Sequence, residues 1–217
     1  MSITVTENIA SRAAPIELGR DTRIRSIAAT IIEAPTVRRH KLSNTEIAHQ
    51  GFVLVRVQLE NGVTGIGEAS TLGGPRWAEE SVESIWAAIA NYLEPVLVGQ
   101  NAMLFEANAV RMSKAATRNF AAKAAVESAL FDAVGHTLGL PVSSLLGGQV
   151  RDRMGVIWAL ASGDAGQELE EAREKLRLRH HKDFKIKLGF NSPEADIVRL
   201  QHLRAGRKIP TIQLTLA

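Results

Sequence analysis

Hydrophobic residues follow a period of two in the first third of the chain. Residues 52–60 alternate between apolar and polar side chains, as in a strand with one buried face. Asn61-Gly62 is a strong signal for a hairpin turn, and residues 63–69 return as the partner strand. An extended run over 24–33, which Pro35 ends, supplies a third strand. We therefore predict a three-stranded antiparallel sheet with a loop over about 35–50.

The period changes to that of a helix in the middle of the chain. Apolar residues recur at helical spacing over 79–98, 102–114 and 119–138, and each of these segments is predicted to be a helix. The last segment is rich in alanine, which favours close contact with a neighbouring element. A sheet followed by helices predicts an α+β domain over 23–150, preceded by an N-terminal tail over 1–22.

Strands and helices alternate after residue 151. Residues 156–160 and 184–188 are short apolar runs that predict strands, and a helical pattern follows each of them. Asp164 and Ser192 stand where helix N-caps are expected, and Pro193 is suited to a first helical position. This order predicts two β/α units over 151–206.

The second of these strands carries the most specific chemistry. Lys185 and Lys187 are two residues apart, so they point to one face while Phe184, Ile186 and Leu188 point to the other. Burying two ammonium groups on one face is costly, and both burial and a neighbouring charge lower a lysine pKa toward that of a general base. In a barrel, catalytic groups lie at the C-terminal ends of strands, where Lys187 stands. The alternative is a solvated edge strand whose polar face carries lysines.

Composition and charge narrow the class of protein. Of the 217 residues, 45% are hydrophobic and none is cysteine, so we predict a globular, cytoplasmic protein without disulfides or thiolate metal sites. No apolar run nears the ~20 residues that cross a bilayer, so no membrane association is expected. The net charge of +3 and an aromatic content of 5% give little support to nucleic-acid binding. The basic run over 38–41 suits an anionic small molecule.

Several segments, by their order and spacing, resemble the muconate cycloisomerase group of the enolase superfamily. They are PTVRRHKL over 35–42, GIGEASTLGGP over 65–75, FAAKAAVESAL over 120–130, LPVSSLLGG over 140–148, WALASGD over 158–164 and the K-x-K strand. The resemblance implies an α+β capping domain followed by the first two β/α units of an incomplete (β/α) barrel. Trp158, at the start of the fifth segment, either lines a pocket or packs within the barrel, and we favour packing.

The resemblance implies a metal-dependent cycloisomerase that acts in the catabolism of aromatic compounds through the β-ketoadipate route. Such enzymes interconvert cis,cis-muconate (or chloromuconate), a small dicarboxylate, and muconolactone through an enolate that Mn²⁺ or Mg²⁺ stabilises. By this resemblance Lys187 is the acid/base group at the carbon next to the carboxylate, and Lys185 is its electrostatic partner. A homo-oligomer is also implied.

The resemblance further implies a set of substrate-binding residues. Leu72 and Trp77, on the loop after the hairpin, align with positions that line the pocket in the family, and Thr71 is their neighbour. His40 and Lys41 lie in the segment that is similar to the family's mobile loop over the active site. The structural alternative is that the first three are turn and core residues and that the basic run is a solvated face.

The last residues of the chain depart from the family pattern. The family's metal ligands are acidic residues at the ends of the third, fourth and fifth barrel strands, and residues 207–217 contain no acidic residue. We therefore expect a non-family tail over 207–217, no metal ligands in this chain, and open edges on both barrel strands. Such a chain is expected to be inactive alone. The alternatives are a non-catalytic remnant or folded cap fragment, or a related enzyme such as a dipeptide epimerase or o-succinylbenzoate synthase.

Overall fold

The computed structural model describes residues 22–41, 46–76, 78–189, 191–205 and 211–216. The chain divides into two compact units. The first comprises Met1–Ile31, Val53–Ala69 and Val82–Leu146, and the second comprises Ile32–Phe52, Ser70–Ser81 and Gly147–Ala217. The second unit therefore includes two stretches from the first part of the chain as well as the predicted β/α region.

Three strands form the N-terminal sheet, β1 (Ile24–Lys41), β2 (Glu46–Leu59) and β3 (Thr64–Ser70), which are hydrogen-bonded in that order. The predicted hairpin is confirmed: β2 and β3 are joined by a tight turn in which Gly62 has a φ of +84°. Only glycine adopts this conformation without strain.

The loop predicted over 35–50 is wrong, because most of that segment is strand. β1 continues through Pro35 to Lys41, and β2 begins at Glu46. Because β1 is an edge strand of the sheet, one of its sides takes no part in pairing, and such a strand can accommodate a proline. The alternation expected beyond Phe52 holds, since Val53, Val55, Val57 and Leu59 are all fully buried.

Helices make up the rest of the first unit. They are α1 (Val82–Ala88), α2 (Glu94–Leu97), α3 (Phe105–Ala115), α4 (Phe120–Leu138) and α5 (Val142–Leu145). A π-helical turn, Ile89–Leu93, joins α1 to α2, and Pro95 lies in the first turn of α2, where its lack of an N–H costs little. None of the helices in the described part of the chain has the length and hydrophobicity to span a bilayer.

Strand β3 and helix α4 approach each other very closely. A Cβ atom on Gly67 would lie 2.8 Å from the backbone nitrogen of Ala129 and closer still to the carbonyl oxygen of Ala125. Gly65 is similarly close to the backbone of Ala133. The alanine-rich face of α4, buried at Ala125, Ala129 and Ala133, is thus matched to a strand that lacks side chains at the contact.

The second unit contains a parallel sheet and two helices. Its elements are β4 (Ile157–Leu160), α6 (Ala165–Arg177), β5 (Asp183–Leu188), α7 (Pro193–Ala205) and β6 (Thr211–Leu216). Both predicted caps are present: Asp164 accepts from Gln167 N–H at 2.8 Å, and Ser192 accepts from Ala195 N–H at 3.3 Å. The two predicted β/α units are therefore confirmed.

The predicted open edges are wrong for β5, because a third strand pairs with it. Residues 211–216, in the segment expected to be a non-family tail, pair with β5 in parallel from Asp183↔Thr211 to Leu188↔Leu216, and the sheet order is β4-β5-β6. The segment TIQLTL consists mainly of β-branched and large apolar residues, which favour a strand once a partner edge is available.

Candidate active site

The side chains of β5 alternate as the sequence predicted. Phe184 and Ile186 are fully buried and pack with Leu160 and Leu203 in the core of the second unit. Lys185 and Lys187, on the opposite face, are half-buried. The two cationic side chains are therefore held on one face of a strand whose other face is fixed in an apolar core.

The register of the sheet extends this lysine face onto the neighbouring strand. In the parallel pairing of β4 with β5, Ala159 stands opposite Lys185 and Leu160 opposite Ile186. Residues that pair in register point to the same side of a sheet, so Ala159 shares the face of Lys185. Alanine leaves space on that face next to the lysine.

A cavity of about 390 Å³ lies within the second unit. The neighbouring β4 residues Trp158 and Ala159 both contribute to its walls, so the cavity borders β4 next to the register partner of Lys185. The complete lining is Thr36, Val37, Ile47, Gln50, Ser70, Leu72, Trp158 and Ala159. The size falls within the ~300–1,000 Å³ that is usual for small-molecule sites, and the lining is mostly apolar with a few polar groups.

Gln50 connects strand β2 to the loop that carries Leu72. Its Nε2 donates to the carbonyl oxygens of Thr71 at 3.0 Å and Gly51 at 3.1 Å. Its Oε1 is buried and has no hydrogen-bond partner among the described residues. Thr71 itself is buried, so this loop is anchored at Thr71 and presents the following residue, Leu72, to the cavity.

The structure describes some of the predicted site residues, and others lie outside the described part of the chain. Leu72, which is 39% exposed, lines the same cavity as Ala159, the register partner of Lys185. Trp77 and the side chains of His40 and Lys41 lie outside the described residues.

Trp158 both packs against a helix and contributes to the cavity wall. Its indole Nε1 donates to Glu171 Oε1 at 3.0 Å, and the ammonium nitrogen of Lys175 lies 4.0 Å from the ring centroid. Its ring is also 4.9 Å from that of His181. These partners hold the indole against α6 while Trp158 also lines the cavity, so the two roles considered for it do not exclude each other.

Six lining residues were missed by sequence reasoning: Thr36, Val37, Ile47, Gln50, Ser70 and Ala159. The first four lie in the segment predicted to be a loop, and their positions depend on β1 and β2 pairing beyond Pro35. Ala159 could have been found by aligning the two predicted parallel strands, because its register partner is Lys185. A small residue beside a candidate catalytic lysine indicates room for a substrate.

The described residues contain no cluster that fits the metal ion implied by the resemblance. Within the described ranges, no three His, Cys, Asp or Glu side chains come together as they would around a metal ion. Two acidic residues near the C-terminal end of the lysine strand, Glu168 and Asp196, are engaged by Arg199.

Comparison with known proteins decides the family. Residues 26–147 match the family model described as the mandelate racemase / muconate lactonizing enzyme, N-terminal domain. The chain belongs to this family. Its fold is accordingly the family's α+β capping domain followed by part of a barrel.

Individual relatives agree with this assignment. The chain is 46% identical over 176 residues to muconate cycloisomerase 1 of Pseudomonas putida. This alignment covers 80% of the chain and 47% of that relative. It is 40% identical over 181 residues to a chloromuconate cycloisomerase of Cupriavidus pinatubonensis, covering 83% and 49% respectively.

Solved structures show the same similarity in three dimensions. The muconate lactonizing enzyme of Pseudomonas fluorescens, complexed with muconolactone, superposes with a TM-score of 0.85 at 38% identity. That match covers 89% of this chain and 53% of the other. The chain spans about half the length of the curated relatives it matches.

Proposed function

We propose that this chain forms the lysine-bearing part of an enzyme that interconverts cis,cis-muconate or a chloromuconate with the corresponding muconolactone. One observation carries the proposal. The register of β4 with β5 sets Ala159, a wall of the Leu72-lined cavity, on the same face as Lys185. A cavity of small-molecule size thus borders the register partner of Lys185, and the similar proteins are named for muconate and chloromuconate.

Lys187 is proposed to move the proton. In the lactonising direction, an oxygen of one carboxylate bonds to a carbon of the substrate's diene and a C=C double bond is lost. Lys187 donates its proton to the carbon next to the other carboxylate, and in the reverse direction it removes that proton. Its position one residue before the end of β5 agrees with the rule that catalytic groups lie at the C-terminal ends of parallel strands.

Lys185 is proposed to act on Lys187 and on the substrate by its charge. It lies two residues away on the same face, so the two ammonium groups repel each other and the neutral form of Lys187 is favoured. Its positive charge also attracts a dianionic substrate into the cavity. Lysine side chains do not bind metals as ammonium ions, so neither role depends on a metal site within the described residues.

Leu72 is proposed to set the space available to the substrate. It projects into a mostly apolar cavity from a loop that Gln50 fixes through Thr71. Adding or removing a group the size of a methylene in an apolar pocket changes discrimination by ~1–3 kcal/mol. This residue is therefore suited to discriminate between muconate and its chlorinated forms.

A chimera tests the proposed function. Residues 1–205 of this chain, joined to the remaining half of the Pseudomonas putida muconate cycloisomerase 1, should consume cis,cis-muconate when a divalent metal is supplied. The matched control is the same chimera with Lys187→Met, which should fold equally well and be inactive. A folded, metal-loaded chimera that leaves both muconate and chloromuconate untouched would contradict the proposal, and one that epimerises dipeptides instead would favour the alternative enzyme.

A further inference from the structure

Three charged side chains are buried together in the second unit. Glu168 of α6 is completely buried, and Asp196 and Arg199 of α7 are 6% and 5% exposed. Burial of charged groups is costly, and a buried ion pair can often be replaced by apolar residues without loss of stability. The function of this cluster is therefore sought in the groups that it holds in place and not in its net contribution to stability.

The charges satisfy one another within the cluster. Arg199 donates to both carboxylate oxygens of Glu168, from Nε at 3.0 Å and from Nη2 at 3.2 Å. Its Nη1 donates to Asp196 Oδ1 at 2.8 Å. This is the forked geometry that guanidinium offers and that an ammonium group cannot reproduce.

Each member of the cluster also binds backbone at the C-terminal end of the parallel sheet. Arg199 Nη2 donates to the carbonyl oxygen of Lys187 at 2.7 Å. Asp196 Oδ2 accepts from Gly189 N–H at 2.7 Å, and Glu168 Oε1 accepts from Gly163 N–H at 3.1 Å. The cluster therefore ties the end of β5 to the loop that follows β4.

The backbone contact also governs the charge of the cluster. The Gly189 N–H holds the pKa of Asp196 below its ordinary value, with further help from Asn191 and Arg199, although burial acts in the opposite direction. As long as the Gly189 N–H donates to Asp196, the ionised form of this carboxyl is favoured, and the carboxylate attracts the guanidinium of Arg199.

We infer that Arg199 is a positioning residue for Lys187, acting through the carbonyl oxygen of that lysine and through Glu168 and Asp196. This inference rests on the proposed role of Lys187 in proton transfer. The ionic cluster fixes the backbone from which the lysine side chain departs, whereas apolar residues of similar volume would fill the space without fixing it. A displacement of about 1 Å in a reacting group can cost ~10²-fold in rate, so such fixing matters for a proton-transfer residue.

The test uses the 217-residue chain labelled with ¹³C at lysine Cε and at backbone carbonyls. The signals of Lys187 are assigned as those that disappear from the spectrum of the Lys187→Arg variant. In the Arg199→Lys variant, the shorter side chain with its single ammonium group can still pair with Glu168. It cannot at the same time bind Asp196 and the carbonyl oxygen of Lys187. We expect the Lys187 carbonyl and Cε signals to shift and amide exchange at Gly189 to quicken at least ~10-fold. The signal of Lys123, on α4 of the first unit, should stay unchanged.

Two comparisons keep the inference open to refutation. The matched control is Arg173→Lys, because Arg173 pairs with exposed Glu170 of the same helix and makes no hydrogen bond to a strand end among the described residues. It should leave the Lys187 signals in place. The stronger variant, Arg199→Met, should move them further or unfold the second unit.

A folded Arg199→Lys with unchanged Lys187 signals and unchanged Gly189 exchange would overturn the inference, even if the protein were less stable. None of these measurements requires turnover. An unmoved Lys187 would therefore reject the positioning role and leave the proposed reaction standing, whereas an inactive chimera would reject the reaction and leave the positioning intact.

Discussion

Replacement of Gly67 by alanine should destabilise the first unit, although its backbone conformation would tolerate alanine. Gly67 is not among the glycines with positive φ, so the substitution alone would favour folding by ~0.4–1 kcal/mol through the unfolded state. The added methyl group would meet Ala129 N at 2.8 Å, whereas ordinary contact begins at 3.4 Å. Strand and helix must therefore part by about 0.6 Å here, and by more at the Ala125 carbonyl.

The free-energy cost of that displacement should outweigh the stabilisation that alanine gives through the unfolded state. Overpacking a close contact typically costs ~1–3 kcal/mol, and here the opposing atoms are backbone, which cannot rotate away. Because β3 and α4 meet at Gly65 as well as at Gly67, a shift at one point loosens the other. We expect a net destabilisation of about 1–3 kcal/mol, a sizeable part of the ~5–15 kcal/mol that holds a typical domain.

Urea denaturation of the full chain, followed by circular dichroism, measures this change. With a slope of ~1–3 kcal/mol/M, the midpoint should fall by roughly 1 M. The matched control is Ile66→Thr, since Ile66 lies between the two glycines, is 49% exposed and keeps a β-branched side chain when replaced. Its midpoint should barely move. A Gly67→Ala protein as stable as the parent would refute the close-contact account of this interface.

Further predictions concern the second unit. In the chimera with a relative's remaining half, Leu72→Ala should change the chloromuconate-to-muconate ratio of kcat/KM by roughly tenfold, and an unchanged ratio would remove Leu72 from specificity. Asp196→Asn should destabilise the chain at about pH 7, because a carboxyl with a lowered pKa contributes stability above its ordinary pKa and loses it as pH falls through the folded value. The difference from the parent in urea should therefore shrink as the pH falls below the ordinary pKa of an aspartate carboxyl, and a pH-independent difference would contradict the role of its charge. Lys185→Met in the chimera should shift the pH–rate profile to higher pH, since Lys187 would hold its proton longer, and a fixed profile would argue against charge coupling.

Local patterns were sufficient for the features whose physical causes are local. Alternation gave the buried face of β2 and the two-sided character of β5, and side-chain caps gave the starts of α6 and α7. The lysine face followed from a spacing of two residues, which needs no tertiary information. The family resemblance pointed to Leu72, which does line the cavity.

Long-range pairing explains what the sequence did not reveal. Pro35 predicted the end of a strand, but β1 continues because pairing with β2 outweighs a single missing donor at a sheet edge. Strand β6 forms because β5 offers a free edge, a condition absent from its own sequence. The Arg199–Glu168 pair joins residues 31 positions apart, and the sequence around each residue does not indicate which residue it will contact.

Proton transfer by Lys187 is the central claim, and solvent exchange tests it most directly. Muconolactone incubated in D₂O with the metal-loaded chimera should gain deuterium at the carbon next to the carboxylate. Lys187→Ala should abolish this exchange and the turnover of muconate, while metal affinity stays within about twofold, because lysine is not a metal ligand here. Exchange that persists in folded Lys187→Ala at a rate near that of the parent would show that another group moves the proton and would contradict the account.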